Sequence, residues 1–94
     1  MPKKLNEQEI ADGLKKLSGW SRKGDAIVKS FEFKAFQDGI TFVDRVAVAA
    51  DKADHHPDID IRYTKVTMAL STHSAGGLTA NDTAMAAEID KLRG

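Results

Sequence analysis

Apolar residues at Ile10, Leu14 and Leu17, spaced by four and then three, predict a first helix that ends near Gly19. Asn6 is placed to cap it, with Glu7 and Glu9 in the first turn, where the helix dipole favours negative charge. From Trp20 the period shortens to two. In WSRKGDAIVKSFEF, Ile27, Phe31 and Phe33 share one face and Gly24-Asp25 supplies a turn, so two strands are expected. Lys29 interrupts that face, which puts it near a sheet edge. Helical spacing returns in FQDGITFVDRVAVAADKAD: Phe36, Ile40, Val43, Val46, Ala47 and Ala50 form a stripe, while Asp38, Asp44, Arg45 and Lys52 face elsewhere. Pro57 is read as the stop of this second helix, because proline disfavours helical geometry at the residue before it.

IDIRYTKVTMALST alternates again, with Ile59, Ile61 and Tyr63, then Val66, Met68 and Leu70. Alternation of this kind fits one long strand or a pair turning near Thr64-Lys65. Gly76-Gly77 breaks the chain, and TANDTAMAAEIDKLR predicts a closing helix with Met85, Ile89 and Leu92 on its apolar stripe. Thr79 followed three residues later by Asp82 resembles a capping box with Asp in place of Glu. The order helix, two strands, helix, two strands, helix predicts an α+β fold. It is a two-layer domain over residues 1–94 in which a four-stranded antiparallel sheet carries its helices on one face.

Charge and composition narrow the functional classes. Lysine and arginine number 14 and aspartate and glutamate 14, so the formal net charge is zero. A general nucleic-acid or polyanion binder would carry a basic excess. With no cysteine, disulfides, thiolate ligands and cysteine nucleophiles are all excluded. No apolar run approaches the roughly 20 residues of a membrane span, and MPKKLNEQEI lacks the apolar stretch of a secretory signal. A soluble, cytoplasmic protein with no membrane contact is expected.

Candidate chemistry concentrates in DHHPDID, residues 54–60. His55 and His56 are two of only three histidines; the third, His73, follows a strand and precedes the glycine break. Asp51 and His55 are four apart on a helix and face the same side. Asp82, in the first turn of the last helix, can reach the same rim as a helix end and a strand end. Three readings compete. As a metal site, the histidines and aspartates supply enough ligands, yet adjacent histidines seldom reach one ion and no H-x-x-x-H pair exists. As structure alone, the imidazoles cap helix carbonyls or lie at the surface. As acid–base groups with an unperturbed pKa of about 6.5, they can give and take protons near neutrality. Without a nucleophile arrangement or a phosphate-binding glycine loop, the third reading points to dehydration, hydration or isomerisation of a small molecule.

The residues resemble a known family. Asp51, three residues, His55-His56-Pro57, five residues, Tyr63, nine residues, His73, eight residues and Asp82 match the signature of the pterin-4a-carbinolamine dehydratases. RVAVAADKADHHP, YTKVTMALSTH, GLTANDTAMA and Trp20 after a glycine are similar to the family as well. The resemblance implies loss of water from 4a-hydroxytetrahydropterin to give quinonoid dihydropterin, downstream of an aromatic amino acid hydroxylase. It implies no metal and no bound cofactor, the pterin being the substrate, and a homodimer or homotetramer. On this resemblance His55, His56 and His73 are the catalytic residues, His55 and His73 forming the acid–base pair and His56 orienting the pterin. Asp51, Ser71, Thr72 and Asp82 are the expected substrate-binding residues, Asp51 by tuning His55 or meeting the pterin's polar edge. Pro57 and Tyr63 are expected to be scaffold. Two positions depart from the pattern: Ile59 where many members carry an aromatic residue, and Asp51 where a longer glutamate is common. Animal relatives also serve as dimerisation cofactors of a transcription factor, which makes an interaction protein the alternative class. A related step on another pterin, linked to molybdopterin, is the other alternative.

Overall fold

Two periods in one chain give two layers. The computed structural model describes residues 3–93, so Met1, Pro2 and Gly94 of the expected domain lie outside the described residues. Helix α1 spans Glu7–Lys15, strands β1 and β2 span Ser21–Lys23 and Ala26–Glu32, and helix α2 spans Phe36–Ala53. Strands β3 (Asp58–Arg62) and β4 (Lys65–Leu70), a short 3-10 turn (His73–Ala75) and helix α3 (Ala80–Leu92) complete the chain. The expected α+β order is therefore observed. Asn6 caps α1 in a reciprocal box with Glu9, the two bonds measuring 2.8 and 2.9 Å.

All strand pairs are antiparallel, in the spatial order β1-β2-β4-β3. The α2 crossover carries the chain to the outer strand β3, and β4 returns between β3 and β2. Register sets Ile27 opposite Leu70 and Phe31 opposite Val66, so the apolar set of each strand lands on one face with α2 and α3. Ser30 and Thr67 face each other on the other side, their hydroxyls 2.8 Å apart. At the α1 side, the Arg22 guanidinium bonds Glu7 and holds that exposed carboxyl below its ordinary range.

Four sequence expectations are corrected. The buried face of α2 is Gly39, Phe42, Val46 and Ala50, while Phe36 is 48% exposed. The helix is rolled because Gly39 lets it approach the sheet: a β-carbon there would stand 3.2 Å from a Val66 methyl. The Phe42 ring then sits 4.9 Å from Phe31 and 5.3 Å from Phe33, centroid to centroid. Second, α2 ends before Pro57 acts on it. Asp54 adopts a left-handed conformation (φ 51°), and the His55 N–H closes the last turn on the Ala50 carbonyl at 3.1 Å. Third, the hairpin turns at Tyr63-Thr64, because Lys65 enters the ladder between Arg62 and Glu32.

Fourth, Lys29 lies on an interior strand. Its ammonium reaches Asp90 at 2.8 Å and the Ser18 carbonyl at 2.7 Å, and it stands over the Phe31 ring. Asp90 also receives the Trp20 indole N–H at 3.1 Å, so one carboxylate joins α3 to β2 and to the α1–β1 connection. Phe42, 1% exposed, fills the space between α2 and the sheet. Phe42→Ala should lower the unfolding free energy by about 3–5 kcal/mol, read by urea denaturation with an unchanged m-value.

Candidate active site

The C-terminal end of α2, the end of β4 and the start of α3 meet at one rim. The last turn of α2 supplies Asp51, and the left-handed turn at Asp54 supplies His55 and His56. The end of β4 supplies Ser71 and Thr72, the 3-10 turn begins at His73, and the first turn of α3 supplies Asp82. Thr72 and Gly77 exchange backbone bonds of 3.0 and 3.3 Å, closing the intervening residues into a short loop with His73 exposed at its start.

Asp82 is the centre of this rim and is wholly buried. Its Oδ2 accepts the Thr79 backbone N–H at 2.9 Å and the Thr72 hydroxyl at 2.8 Å. With the Thr72 proton committed to Asp82, the Thr79 hydroxyl 2.8 Å away donates to Thr72 and itself accepts the Asn81 N–H at 3.2 Å. Asp82 Oδ1 lies 2.6 Å from His55 Nε2, in a side chain only 12% exposed. A carboxylate can only accept, so His55 carries its proton on Nε2 and turns Nδ1 to other work. Among the described residues no buried side-chain nitrogen or oxygen lacks a partner.

His56 takes a different carboxylate. Its Nε2 lies 2.9 Å from Asp51 Oδ1, with both side chains exposed. The expected Asp51–His55 pairing is thus corrected: the turn at Asp54 swings His55 towards α3 and leaves His56 for Asp51. Thr72 and Asp82 stand behind His55 in the interior, whereas Ser71 is half-buried and His73 exposed. Among the described residues no three histidine or acidic side chains are grouped to hold a metal ion.

Beside His55, a groove of about 410 Å³ runs between α2 and α3. Ala53, Ala84 and Met85 line it with apolar surface, and Lys52, Asn81 and Glu88 add polar groups. A wider hollow of about 590 Å³ opens where Lys34, Arg45 and Arg93 meet Glu32 and Asp38, and it shares none of the site's residues. Thr79, Lys52 and Asn81 were not singled out as site residues from sequence. The T-x-x-D spacing was a signal for Thr79; none existed for the groove residues.

The α+β scaffold thus brings two histidine–carboxylate pairs, His55 with Asp82 and His56 with Asp51, to one rim beside a groove. The family is shown by sequence: residues 3–92 match the family model for pterin 4 alpha carbinolamine dehydratase, and the chain belongs to that family. It is 52% identical over 88 residues to a Roseiflexus castenholzii protein provisionally named a pterin-4-alpha-carbinolamine dehydratase, covering 94% of this chain and 95% of the other. A Chloroflexus aurantiacus protein with the same provisional name is 50% identical over the full length of both. Among solved structures, a transcriptional coactivator/pterin dehydratase from Brucella melitensis superposes with a TM-score of 0.93 at 36% identity, covering 97% of this chain and 99% of that one. A pterin dehydratase-like protein described as a RuBisCO assembly factor of the alpha-carboxysome superposes with a TM-score of 0.66 at 26% identity, over 80% of this chain and 87% of that one. Among the described residues no helix is long and apolar enough to cross a membrane.

The network makes a stability prediction. Asp82→Asn keeps the shape but sets an amide NH2 against groups that donate, so unfolding free energy should fall by about 1–3 kcal/mol in urea denaturation. A change under about 0.5 kcal/mol would mean that the carboxylate is not the acceptor described.

Proposed function

We propose that the chain dehydrates 4a-hydroxytetrahydropterin to quinonoid dihydropterin by histidine acid–base catalysis. The observation that carries this reading is a nearly buried imidazole fixed by a buried carboxylate, His55 on Asp82, one residue along the network from the exposed His73. The reaction breaks the C4a–O bond and the N5–H bond, forms C4a=N5 and releases water. An acid must protonate the departing oxygen while a base takes the N5 proton. His55 and His73 fill these two roles, and His56, held by Asp51, orients the pterin. Ser71 offers strand-end polar groups to the ring, while Asp82 and Thr72 act through His55 as positioning residues. The pterin is substrate, with no metal or cofactor needed, and an aromatic amino acid hydroxylase is the upstream enzyme in the cytoplasm.

A second reading, a cofactor for a partner protein, is favoured by the names of the two structural neighbours, a coactivator and an assembly factor. An assay that generates 4a-hydroxytetrahydropterin in situ and follows its ultraviolet change separates the two. The wild-type chain should accelerate the step, and His73→Ala should lower kcat by roughly 10²-fold with unchanged thermal unfolding. Full rate in His73→Ala would remove His73 from the chemistry, and no acceleration by folded wild type would favour the partner role. Exhaustive chelation should leave the rate unchanged; a loss restored by added zinc would overturn the metal-free mechanism.

A further inference from the structure

The residues ahead of α1, and α1 itself, touch the stretch of chain that runs from the His73 loop into α3. The Leu5 N–H donates to the Leu78 carbonyl at 2.8 Å, and the Leu5 side chain packs against the core. Lys4 lays its stem across Gly77: a β-carbon built there would meet Lys4 Cε at 2.7 Å, with Cδ and Cγ at 3.5 and 3.6 Å. Helix α1 joins them at Gly13, where a β-carbon would stand 3.1 Å from the methyl of Thr83, the neighbour of Asp82.

Gly76 and Gly77, which read in the sequence as one break, differ in the structure. Gly76 holds a left-handed backbone (φ 71°). Gly77 does not; it is buried, and the stem of the otherwise exposed Lys4 is what lies over it. A lysine can cover a surface with its methylenes in this way while its ammonium stays in water.

What lies under that stem matters to two rings. Gly77 and Thr72 exchange the backbone bonds that close the loop, and the Thr72 carbonyl also accepts the Ala75 N–H at 3.0 Å. Thr72 is the residue before His73, and its hydroxyl donates to Asp82, the carboxylate that fixes His55. One residue therefore carries the loop closure on its backbone and the His55 network on its side chain. Water admitted to the Thr72–Gly77 pair would compete for its bonds and loosen both.

We propose that Lys4 is a positioning residue: its stem seals the Thr72–Gly77 pair and so holds His73, and through Thr72 and Asp82 also His55, in place across the rim. The catalytic meaning of this rests on the proposed dehydration; the seal itself does not. The Lys4 ammonium has a separate effect, since Arg22 chiefly, and Lys4 with it, hold the Glu7 carboxyl below its ordinary range. Stem and charge are therefore tested apart.

Amide hydrogen exchange and histidine ring resonances, read by NMR, test the seal without any substrate. Lys4→Ala should speed exchange of the Thr72 and Gly77 amides by roughly tenfold and shift the His73 and His55 ring protons, with exchange at the fully buried Val46 unchanged. Lys4→Met, which keeps a long stem and drops the charge, should match the wild type. Gly77→Ala added to Lys4→Ala should restore both signals, because its methyl fills the place that the stem leaves and the backbone there is not left-handed. In the dehydration assay Lys4→Ala should lower kcat by roughly tenfold and change KM by less than about twofold, and the double variant should regain the rate.

Unchanged exchange in Lys4→Ala, a Lys4→Met variant that behaves like it, or a double variant that stays loose would overturn the seal. Faster exchange with unmoved histidine rings, or full rate in Lys4→Ala from an active wild type, would overturn the positioning role. A folded wild type that dehydrates nothing, with the exchange and ring results as expected, would sink the proposed dehydration and uphold the seal.

Discussion

One buried carboxylate organises this molecule's business end. Asp82 cannot be buried at low cost unless its charge is met by donors, and the donors come from three separate places: the start of α3, the end of β4 and the turn after α2. Capping a helix and orienting an imidazole are usually distinct tasks. Here they share an atom pair, since the carboxylate that receives the Thr79 N–H in the capping box also receives His55. The helix start is therefore part of the site rather than a support beneath it.

Much of the fold was legible because period and turn chemistry agree. Both capping boxes, the Gly24 turn and the apolar faces of the strands are local patterns, and local patterns survive folding. What could not be read was set by contacts distant in sequence. The roll of α2 depends on Gly39 meeting Val66, and the fate of Lys29 depends on Asp90, 61 residues away. The signature singled out the histidines and aspartates, but the pairing of His55 with Asp82 and of His56 with Asp51 was not legible in it. Asp51 looked to be the partner of His55 because helical spacing was extended past the helix end. The chain leaves the helix at Asp54, and from there spacing by four no longer predicts a shared face.

The scaffold and the chemistry separate cleanly. Structural neighbours of similar architecture bear names as different as a coactivator and an assembly factor, so the two-layer fold alone does not fix an activity. The chemical groups of this chain gather at one rim: a fixed imidazole, an exposed imidazole on a short closed loop, and an apolar groove beside the fixed one. The opposite end of the molecule, with its mixed charges around Phe33, offers none of these groups.

His55 and His56 are chemically identical and adjacent, yet one is enclosed with a wholly buried aspartate and the other faces water. Nothing in the rings themselves makes that choice. It is made by a single left-handed residue, Asp54, at the point where α2 lets go of the chain. Asp54 lies between the last helical residue and the two rings, so its torsion sets the direction in which both leave α2. Identity at this site is thus a matter of phase, and a backbone torsion outside the rings decides which histidine the protein treats as its interior one.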